Sequence, residues 1–256
     1  MFYATAAAVA EHNVIQRFRP NGMTTRRRPY FGPPPSFGSA NTLDAVYTDA
    51  APGEVREPQA FMVEQQPESE LGAHFHFVDQ FQIVVHGTGH IGQHEVEPYT
   101  LHFASACTGY GPIKAGSDGI KYLTLRAAAD STGAQYLPEA RHRQRATPKR
   151  NVMFDQIKLS ALLKTPPTSL STISLIEEAG GLAAQLLRIP SGASGQVVLA
   201  HAGSGQTIVV LTGSVNCRDA VYEELSVMFT SADEPAPTFT ARDGAADVLI
   251  LQYPAL

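Results

Sequence analysis

The sequence predicts an all-β protein made of two tandem copies of one antiparallel domain. Three observations support this prediction: short β-branched and aromatic runs separated by Gly, Pro, Ser and Asp, an internal repeat at constant spacing, and weak helical periodicity. Runs such as "FMVEQ" and "IKYLTLRA" have the length and composition of short strands. Their cadence along the chain is typical of antiparallel sandwiches and barrels.

The internal repeat has an offset of 126 residues and needs no gap between residues 60 and 126. This offset places "QFQIVVHG" (80–87) on "QTIVVLTG" (206–213) and "YTLHFASA" (99–106) on "LSVMFTSA" (225–232). A constant offset across several apolar strands is difficult to produce by chance, and repeats of this kind define the architecture. We therefore expect two copies of one β domain.

The repeat divides the chain into four segments. Residues 1–55 are predicted to form a short N-terminal helix and a Pro/Gly-rich arm, which runs over the first barrel or across a subunit contact. Residues 56–130 form the first domain, and residues 131–182 form a mostly helical linker with its helical pattern at 152–164. Residues 183–256 form the second domain, whose expected role is structural, covering the first barrel and dimerising.

Composition narrows the classes of function. The net charge of −5 argues against nucleic acid binding, and no apolar run reaches the length of about 18 residues that would span a membrane. The short basic runs at 26–28 and 141–150 are interpreted as solvated loops or an interface rim, with an anion site as the alternative. Cys107 and Cys217 are too few for a disulfide framework, which favours a reduced, cytoplasmic protein.

One strand of the first domain carries the candidate site. In "AHFHFVDQFQIVVHG" (73–87), His74, His76 and Gln80 have the same parity, so they share one face. Neutral imidazoles are common ligands of divalent transition metals, and two imidazoles that point into an apolar interior need a partner. We interpret His74 and His76 as metal ligands, and His90 and His94 further along as exposed polar residues.

The spacing resembles a known family. His74-x-His76, three residues, Gln80, six residues and Gly87 resemble the first motif of the cupin superfamily, and "EPYTLHFASACTGYGPI" occupies the place of the second motif. Through the repeat the whole chain resembles a bicupin with a degenerate second domain. This resemblance implies two jelly-roll barrels and a divalent metal ion (Fe, Zn, Ni or Mn) held by the two histidines and the residue at position 80.

Two departures from the family pattern leave alternatives open. Gln80 replaces the usual glutamate, and it is either a metal ligand or a hydrogen-bonding residue, because Gln206 is retained where the histidines become Ala200 and Ala202. The last expected histidine falls near Tyr110, which is a ligand, an acid/base phenol or a pocket wall.

The resemblance implies a metal-dependent cupin enzyme that acts on a small organic molecule, either dioxygenase-like or a non-redox lyase or isomerase. We expect Tyr110 and His102 to complete the site or move a proton, although a core role for His102 is the alternative. Arg126 either anchors a substrate carboxylate or lies at the surface or an interface. The alternative function is a non-catalytic ligand-binding bicupin with decayed metal sites, and a homodimer is expected in both cases.

Overall fold

The computed structural model describes residues 1–18, 24–33, 56–154, 156–196 and 204–254. The chain divides into two compact units. We name residues 13–157 the first barrel, and residues 1–12 together with 158–256 the second barrel. Both are built from antiparallel strands, which confirms the prediction of an all-β protein with two tandem jelly-roll barrels.

The helices and strands follow the chain in this order. They are β1 (Phe2–Thr5), α1 (Ala7–Glu11), β2 (Ile15–Phe18), β3 (Thr24–Phe31), β4 (Gln59–Gln65), β5 (Glu70–Leu71), β6 (His74–Phe75), β7 (Gln80–Ile91), β8 (His94–Val96), β9 (Leu101–Ala104), β10 (Ile113–Arg126), β11 (Gln135–Tyr136), a 3-10 helix (Glu139–Arg143), β12 (Asn151–Phe154), α2 (Gln156–Leu163), β13 (Ser171–Glu177), β14 (Ala183–Ile189), β15 (Ser194–Gln196), β16 (Gln206–Cys217), β17 (Ala220–Glu223), β18 (Val227–Thr230) and β19 (Thr238–Gln252).

In the first barrel the main sheet has the strand order β12-β9-β7-β10-β4-β3-β2. The long strand β7 lies between β9 and β10, so residues of these three strands meet on one face of the sheet. The short strands β6 and β11 pair with each other, with Tyr136 opposite His74, and His74 also bridges to Tyr110. This arrangement brings the histidine motif, the second motif and the segment after β10 to one place.

The second barrel repeats this order as β1-β18-β16-β19-β14-β13. Strands β16 and β18 begin 126 residues after β7 and β9, which is the offset of the sequence repeat. The glycines at the equivalent positions 87 and 213 have φ values of +74° and +71°, in the left-handed region that favours glycine. The tandem repeat is therefore present in backbone conformation as well as in strand order.

The edge strand next to β9 and the edge strand next to its equivalent β18 come from different parts of the chain. Strand β12, which follows the first barrel's other strands, pairs with β9, whereas β1 at the N-terminus pairs with β18. The N-terminal segment thus contributes a strand to the second barrel before its short helix α1 begins.

The basic run at residues 26–28 of the N-terminal arm does not have the expected loop conformation. Residues 24–31 form the inner strand β3, so the interpretation of residues 26–28 as a solvated loop is wrong. Arg28 pairs with Glu64 of β4, Arg26 lies 3.7 Å from the same carboxylate, and a register shift next to Pro29 accommodates its missing N–H. The rest of the predicted arm, residues 34–55, lies outside the described residues.

The prediction of a mostly helical linker at 131–182 is wrong, because only two short helices lie among the described residues of this segment. The segment contains the 3-10 helix and α2, together with β11, β12 and the beginning of the second barrel at β13. Among the described residues, the helices are all too short or too polar to cross a bilayer.

Candidate functional site

The first barrel contains a small polar cavity of about 30 Å³, which is room for an ion or one or two water molecules. Its walls come from strands β3 to β7, β10 and β11 and from the loops that follow β6, β9 and β10. The lining residues are Arg27, Phe61, Val63, Leu71, His74, His76, Gln80, Gln82, Tyr110, Tyr122, Thr124, Arg126, Gly133, Ala134 and Tyr136. The structure thus brings together His74, His76, Gln80 and Tyr110 as the sequence predicts.

Both motif histidines are held through the same ring nitrogen. The Nδ1 of His74 lies 2.8 Å from the carbonyl oxygen of Gly72, and the Nδ1 of His76 lies 2.7 Å from Oδ2 of Asp130. Each partner is an acceptor, so Nδ1 carries the proton and Nε2 of each neutral ring has a lone pair. The two rings are perpendicular, with centroids 5.3 Å apart.

Burial keeps these imidazoles uncharged. Desolvation, with the nearby charges of His76 and Arg126, lowers the pKa of His74 to about 3. Desolvation and then Arg126 lower the pKa of His76 to about 4, against the opposing effect of Asp130. At neutral pH both rings are therefore neutral and able to bind a metal through Nε2.

Asp130 accepts a hydrogen bond from His76 and also holds the segment that follows β10 by hydrogen bonds. Although burial opposes ionisation, the hydrogen bond from His76 and the charge of Arg126 hold the pKa of Asp130 well below its usual range. Its Oδ1 accepts hydrogen bonds from the backbone N–H and hydroxyl of Thr132 at 2.9 and 2.7 Å, and from Gly133 N at 3.2 Å. A carboxylate that orients a ligating histidine is a common companion of protein metal sites. The sequence analysis did not identify Asp130.

Gln80 is engaged at both ends of its amide. Its Oε1 accepts hydrogen bonds from Nη2 and Nε of Arg126 at 3.0 and 3.3 Å, and its Nε2 donates to the hydroxyl of Tyr110 at 2.5 Å. Arg126 donates further to Oε1 of Gln59 at 2.7 Å. In the structure Gln80 therefore makes hydrogen bonds to side chains, and its role as a metal ligand stays a prediction.

Arg126 itself is 3% exposed, so the interpretation of this residue as a surface or interface residue is wrong. The signal in the sequence was parity: Tyr122, Thr124 and Arg126 alternate along β10 and all line the cavity. Arg27 also lines the cavity, although the run 26–28 was interpreted as a loop or an interface rim in preference to an anion site.

Tyr110 lies between the motif histidine and His102. Its ring centroid is 4.5 Å from that of His74 and 5.1 Å from that of His102. Burial and the neighbouring Tyr122 raise the pKa of its phenol, so the group is protonated at neutral pH. A protonated phenol with a raised pKa is a hydrogen-bond donor and a weak acid, and Tyr110 lines the cavity wall.

His102 is placed behind Tyr110 and is not among the residues that line the cavity. Its two ring nitrogens each lie 2.9 Å from an amide side chain, Gln82 on one side and Asn151 on the other. Burial lowers its pKa to about 4. In this arrangement His102 positions Tyr110 and Gln82 rather than reaching into the cavity.

In the second barrel, apolar residues occupy the positions equivalent to four buried polar residues of the first barrel. At the repeat offset, Gln82, His102, Tyr122 and Thr124 correspond to Ile208, Met228, Val248 and Ile250. All four of these second-barrel residues belong to its closely packed apolar core. Polar residues inside the first barrel are therefore not a requirement of the fold, which favours a functional origin.

The residues fit a divalent metal in part. The two Nε2 atoms suit Zn, Fe, Ni or Mn, and the Tyr110 phenol is a further candidate donor. Within the part of the chain that the structure describes, no group of three or more His, Cys, Asp or Glu side chains is arranged to hold an ion. A metal here would have His74 and His76 as its principal protein ligands, with other positions left for substrate.

Comparison with solved structures places this arrangement in a fold family. An oxalate decarboxylase from Lactobacillus farciminis, in a formate complex, aligns with 98% of this chain and 86% of its own at 10% identity and a TM-score of 0.59. A nickel(II) complex of a bacterial pirin from Escherichia coli aligns over 100% of both chains at 13% identity and a TM-score of 0.58. A variant salicylate 1,2-dioxygenase from Pseudoaminobacter salicylatoxidans aligns with 77% of this chain and 70% of its own at 11% identity and a TM-score of 0.51.

These structural likenesses show that the chain shares the two-barrel fold of these proteins, which is the fold that the resemblance of the sequence to cupins implies. No model of a protein family matches the sequence, and no curated protein matches it.

Proposed function

We propose that the first barrel is the active site of a metal-dependent enzyme that acts on a small organic molecule. The observation that carries the proposal is that both motif histidines use Nδ1 for hydrogen bonds within the barrel and line one cavity. This leaves two neutral Nε2 donors for one ion. The nickel(II) complex among the structural neighbours supports a divalent metal in a barrel of this kind.

The donor set favours Lewis-acid chemistry over redox chemistry. A divalent ion held by neutral imidazoles would keep most of its positive charge and would polarise a carbonyl or carboxylate oxygen of a substrate. Tyr110, protonated and held by Gln80, would donate a hydrogen bond to the polarised molecule. We therefore favour a non-redox lyase or isomerase, with an oxygen-dependent reaction as the second candidate within the same site.

A second candidate function is a metal-free ligand-binding barrel. It is favoured by the hydrogen bonds of Gln80, because the amide oxygen at the position of the usual carboxylate ligand already accepts from Arg126. In that case the histidines and Tyr110 would bind a ligand directly by hydrogen bonds.

Metal analysis of protein purified without a histidine tag separates these two functions. We expect about one equivalent of a divalent metal after loading with Fe, Mn, Ni or Zn, and its loss in a His74→Ala/His76→Ala double variant. The matched control is His86→Ala/His90→Ala, which removes two exposed histidines of β7. Since buried alanines leave a cavity, a His74→Gln/His76→Gln variant serves as a second test in which the side-chain volume is largely kept.

The proposal is wrong if no metal binds after loading. It is equally wrong if the double variants of the buried histidines retain as much metal as the control. Loss of metal in the His86/His90 control alone would show adventitious binding at the surface.

A further inference from the structure

A second cavity of the first barrel, of about 220 Å³, lies among the turn between β7 and β8, the loop that leads into β10, and strand β12. We name it the β12 cavity. Among the described lining residues, Tyr110 is shared with the smaller cavity that contains His74 and His76. An apolar cavity of about 150 Å³ is large enough to hold benzene, so the β12 cavity has room for a single ring with a substituent.

The second barrel has an aromatic side chain at an equivalent position. Asn151 of β12 lies opposite Ala104, and Phe2 of β1 lies opposite Thr230, which is 126 residues after Ala104. Strand pairing therefore makes Phe2 the equivalent of Asn151. The partly buried Phe2 ring packs against the apolar core of the second barrel. An asparagine in the lining of the β12 cavity thus stands where the second barrel has a ring.

The turn beside this position also differs in side chain but not in backbone. Gly92 and its equivalent Arg218 have φ values of +62° and +53°. The Cζ of Arg218 lies 3.8 Å from the centroid of the Phe2 ring, and its Nη2 donates to Oε2 of Glu234 at 2.9 Å. Because an arginine adopts this left-handed conformation in the second barrel, the backbone alone does not require glycine at 92. The glycine leaves open a space that a side chain covers in the other copy.

The lining of the β12 cavity indicates the chemistry of a ligand. Its described residues include no Asp, Glu, Lys or Arg, so a charged molecule would lose water without gaining an ion pair. Ile91, Met153 and the ring of Tyr110 provide apolar contacts, and a methionine sulfur and an aromatic ring both pack well against a flat ring. The exposed Gln93 and His94 are available for hydrogen bonds to a polar substituent.

We infer that the β12 cavity binds a small, uncharged aromatic molecule whose ring takes the place that the Phe2 ring has in the second barrel. Binding needs neither a metal nor the motif histidines, so the inference goes beyond the proposed function and does not depend on it. The bound molecule would contact Tyr110, the residue that this site shares with the histidine cavity.

The test titrates benzamide into the full chain after treatment with a chelator, followed by calorimetry. We expect a Kd of about 1 mM or tighter, which is the range of a single-ring ligand. Benzoate has a similar shape with a charge, and cyclohexanecarboxamide has the amide without the aromatic ring. Each should bind at least about 5-fold more weakly than benzamide.

The decisive variant is Asn151→Phe, which copies the ring of the second barrel. It should bind benzamide at least about 10-fold more weakly, because the new side chain fills the space of the ligand. The matched control is Asn151→Ala, which removes the same hydrogen bond to His102 without filling the cavity. This control should bind benzamide like the unaltered protein.

A second measurement needs no substitution that fills the cavity. In protein with isotope-labelled methionine methyl groups, benzamide should shift the nuclear magnetic resonance signal of Met153, because an aromatic ring alters the field at nearby nuclei. The signal of Met228, fully buried in the second barrel, should stay in place. Met153→Leu assigns the signal. This measurement decides the question if Asn151→Phe does not fold.

Four results would overturn the inference: benzamide does not bind, benzoate or cyclohexanecarboxamide binds as tightly as benzamide, the two Asn151 variants bind benzamide equally well, or the Met153 signal does not move. The two proposals fail separately. Absence of metal binding would remove the metal-dependent function and leave this inference standing, and absence of benzamide binding would do the reverse.

Discussion

Arg126 donates two hydrogen bonds to the amide oxygen of Gln80, and the residues at the equivalent positions of the second barrel, Gln252 and Gln206, are also hydrogen-bonded to each other. The pairing of these two positions is thus a shared feature of both barrels, whereas the positive charge belongs to one of them. This explains why glutamine is retained at 206, where the sequence has no histidine pair.

The first prediction concerns the stability cost of that charge. Arg126→Gln should leave the free energy of unfolding unchanged or raise it by about 1 kcal/mol, because a buried charge is exchanged for the neutral partner that works in the second barrel. Urea denaturation followed by tyrosine fluorescence measures the change. A loss of more than about 2 kcal/mol would mean that Arg126 is there for stability.

The second prediction concerns Asp130→Asn. The amide oxygen is able to replace Oδ1 towards Thr132 and Gly133, so the amide nitrogen then faces Nδ1 of His76 and donates to it. The imidazole proton moves to Nε2, and the lone pair that would bind a metal is lost. Metal affinity should fall by about 10- to 100-fold, measured by competition with a chromophoric chelator. Asp118→Asn, at an exposed carboxylate on β10, is the control that should leave the affinity unchanged.

The third prediction uses the second barrel as a template for His102. His102→Met should destabilise the first barrel by about 1–3 kcal/mol, since the buried amide of Gln82 loses a hydrogen-bond partner. Adding Gln82→Ile should recover part of that loss, because the equivalent residues Met228 and Ile208 pack together in an apolar core. A double-mutant cycle in urea measures the coupling. Additive effects of the two substitutions would contradict the prediction.

The fourth prediction is a pH dependence of stability. The buried His74, His76 and His102 have folded-state pKa values of about 3, 4 and 4, below the 6.5 of an exposed histidine. Between pH 6.5 and 4 the unfolded chain therefore binds more protons than the folded one. The stability is fully present above about pH 6.5 and is lost as the pH falls, by up to about 1.4 kcal/mol per pH unit for each histidine.

Denaturation of chelator-treated protein at several pH values checks this slope. His102→Gln should make it shallower by about one proton, whereas His90→Gln, at an exposed position of β7, should leave it unchanged. A stability that stays level from pH 7 to pH 5 would show that the histidines are not buried and neutral.

The fifth prediction tests the repeated turn glycine. A Cβ at Gly213 would lie 2.3 Å from the carbonyl oxygen of Ala245, whereas a Cβ at Gly192, at a similar φ of +72°, would meet nothing within 4 Å. Gly192→Ala should cost about 1–2 kcal/mol for the left-handed conformation alone. Gly213→Ala should cost about 1–3 kcal/mol more, because the backbone must move. Equal losses in thermal unfolding of the two variants would contradict the close approach.

The predictable parts of the fold are those that depend on the local pattern of apolar and polar residues in the sequence. The repeat offset and the shared face of His74, His76 and Gln80 follow from strand periodicity, and His90 and His94 are exposed as expected. Parity along β10 would also have identified Arg126, had the polar residues at 122 and 124 been considered together with it.

Other features depend on contacts between distant parts of the chain. Strand β3 was not predicted, because its sequence contains three consecutive arginines and a proline. Its strand conformation depends on pairing with β4 and on the ion pair with Glu64. Asp130 follows β10 and becomes part of the site only through a hydrogen bond to a residue 54 positions earlier in the chain. The homodimer, the cytoplasmic location and the metal-ligand roles of His74, His76 and Gln80 stay predictions.

The pairing of Phe2–Thr5 with Val227–Thr230 has a consequence for synthesis on the ribosome. Residues 13–157 contain every described strand of the first barrel, so this unit is able to fold as soon as it emerges. Strand β1, by contrast, stays unmatched until β18 is translated more than 220 residues later. At elongation rates of about 5–20 residues per second that wait is roughly 10–45 s, during which an apolar edge is exposed to chaperones or to a neighbouring nascent chain.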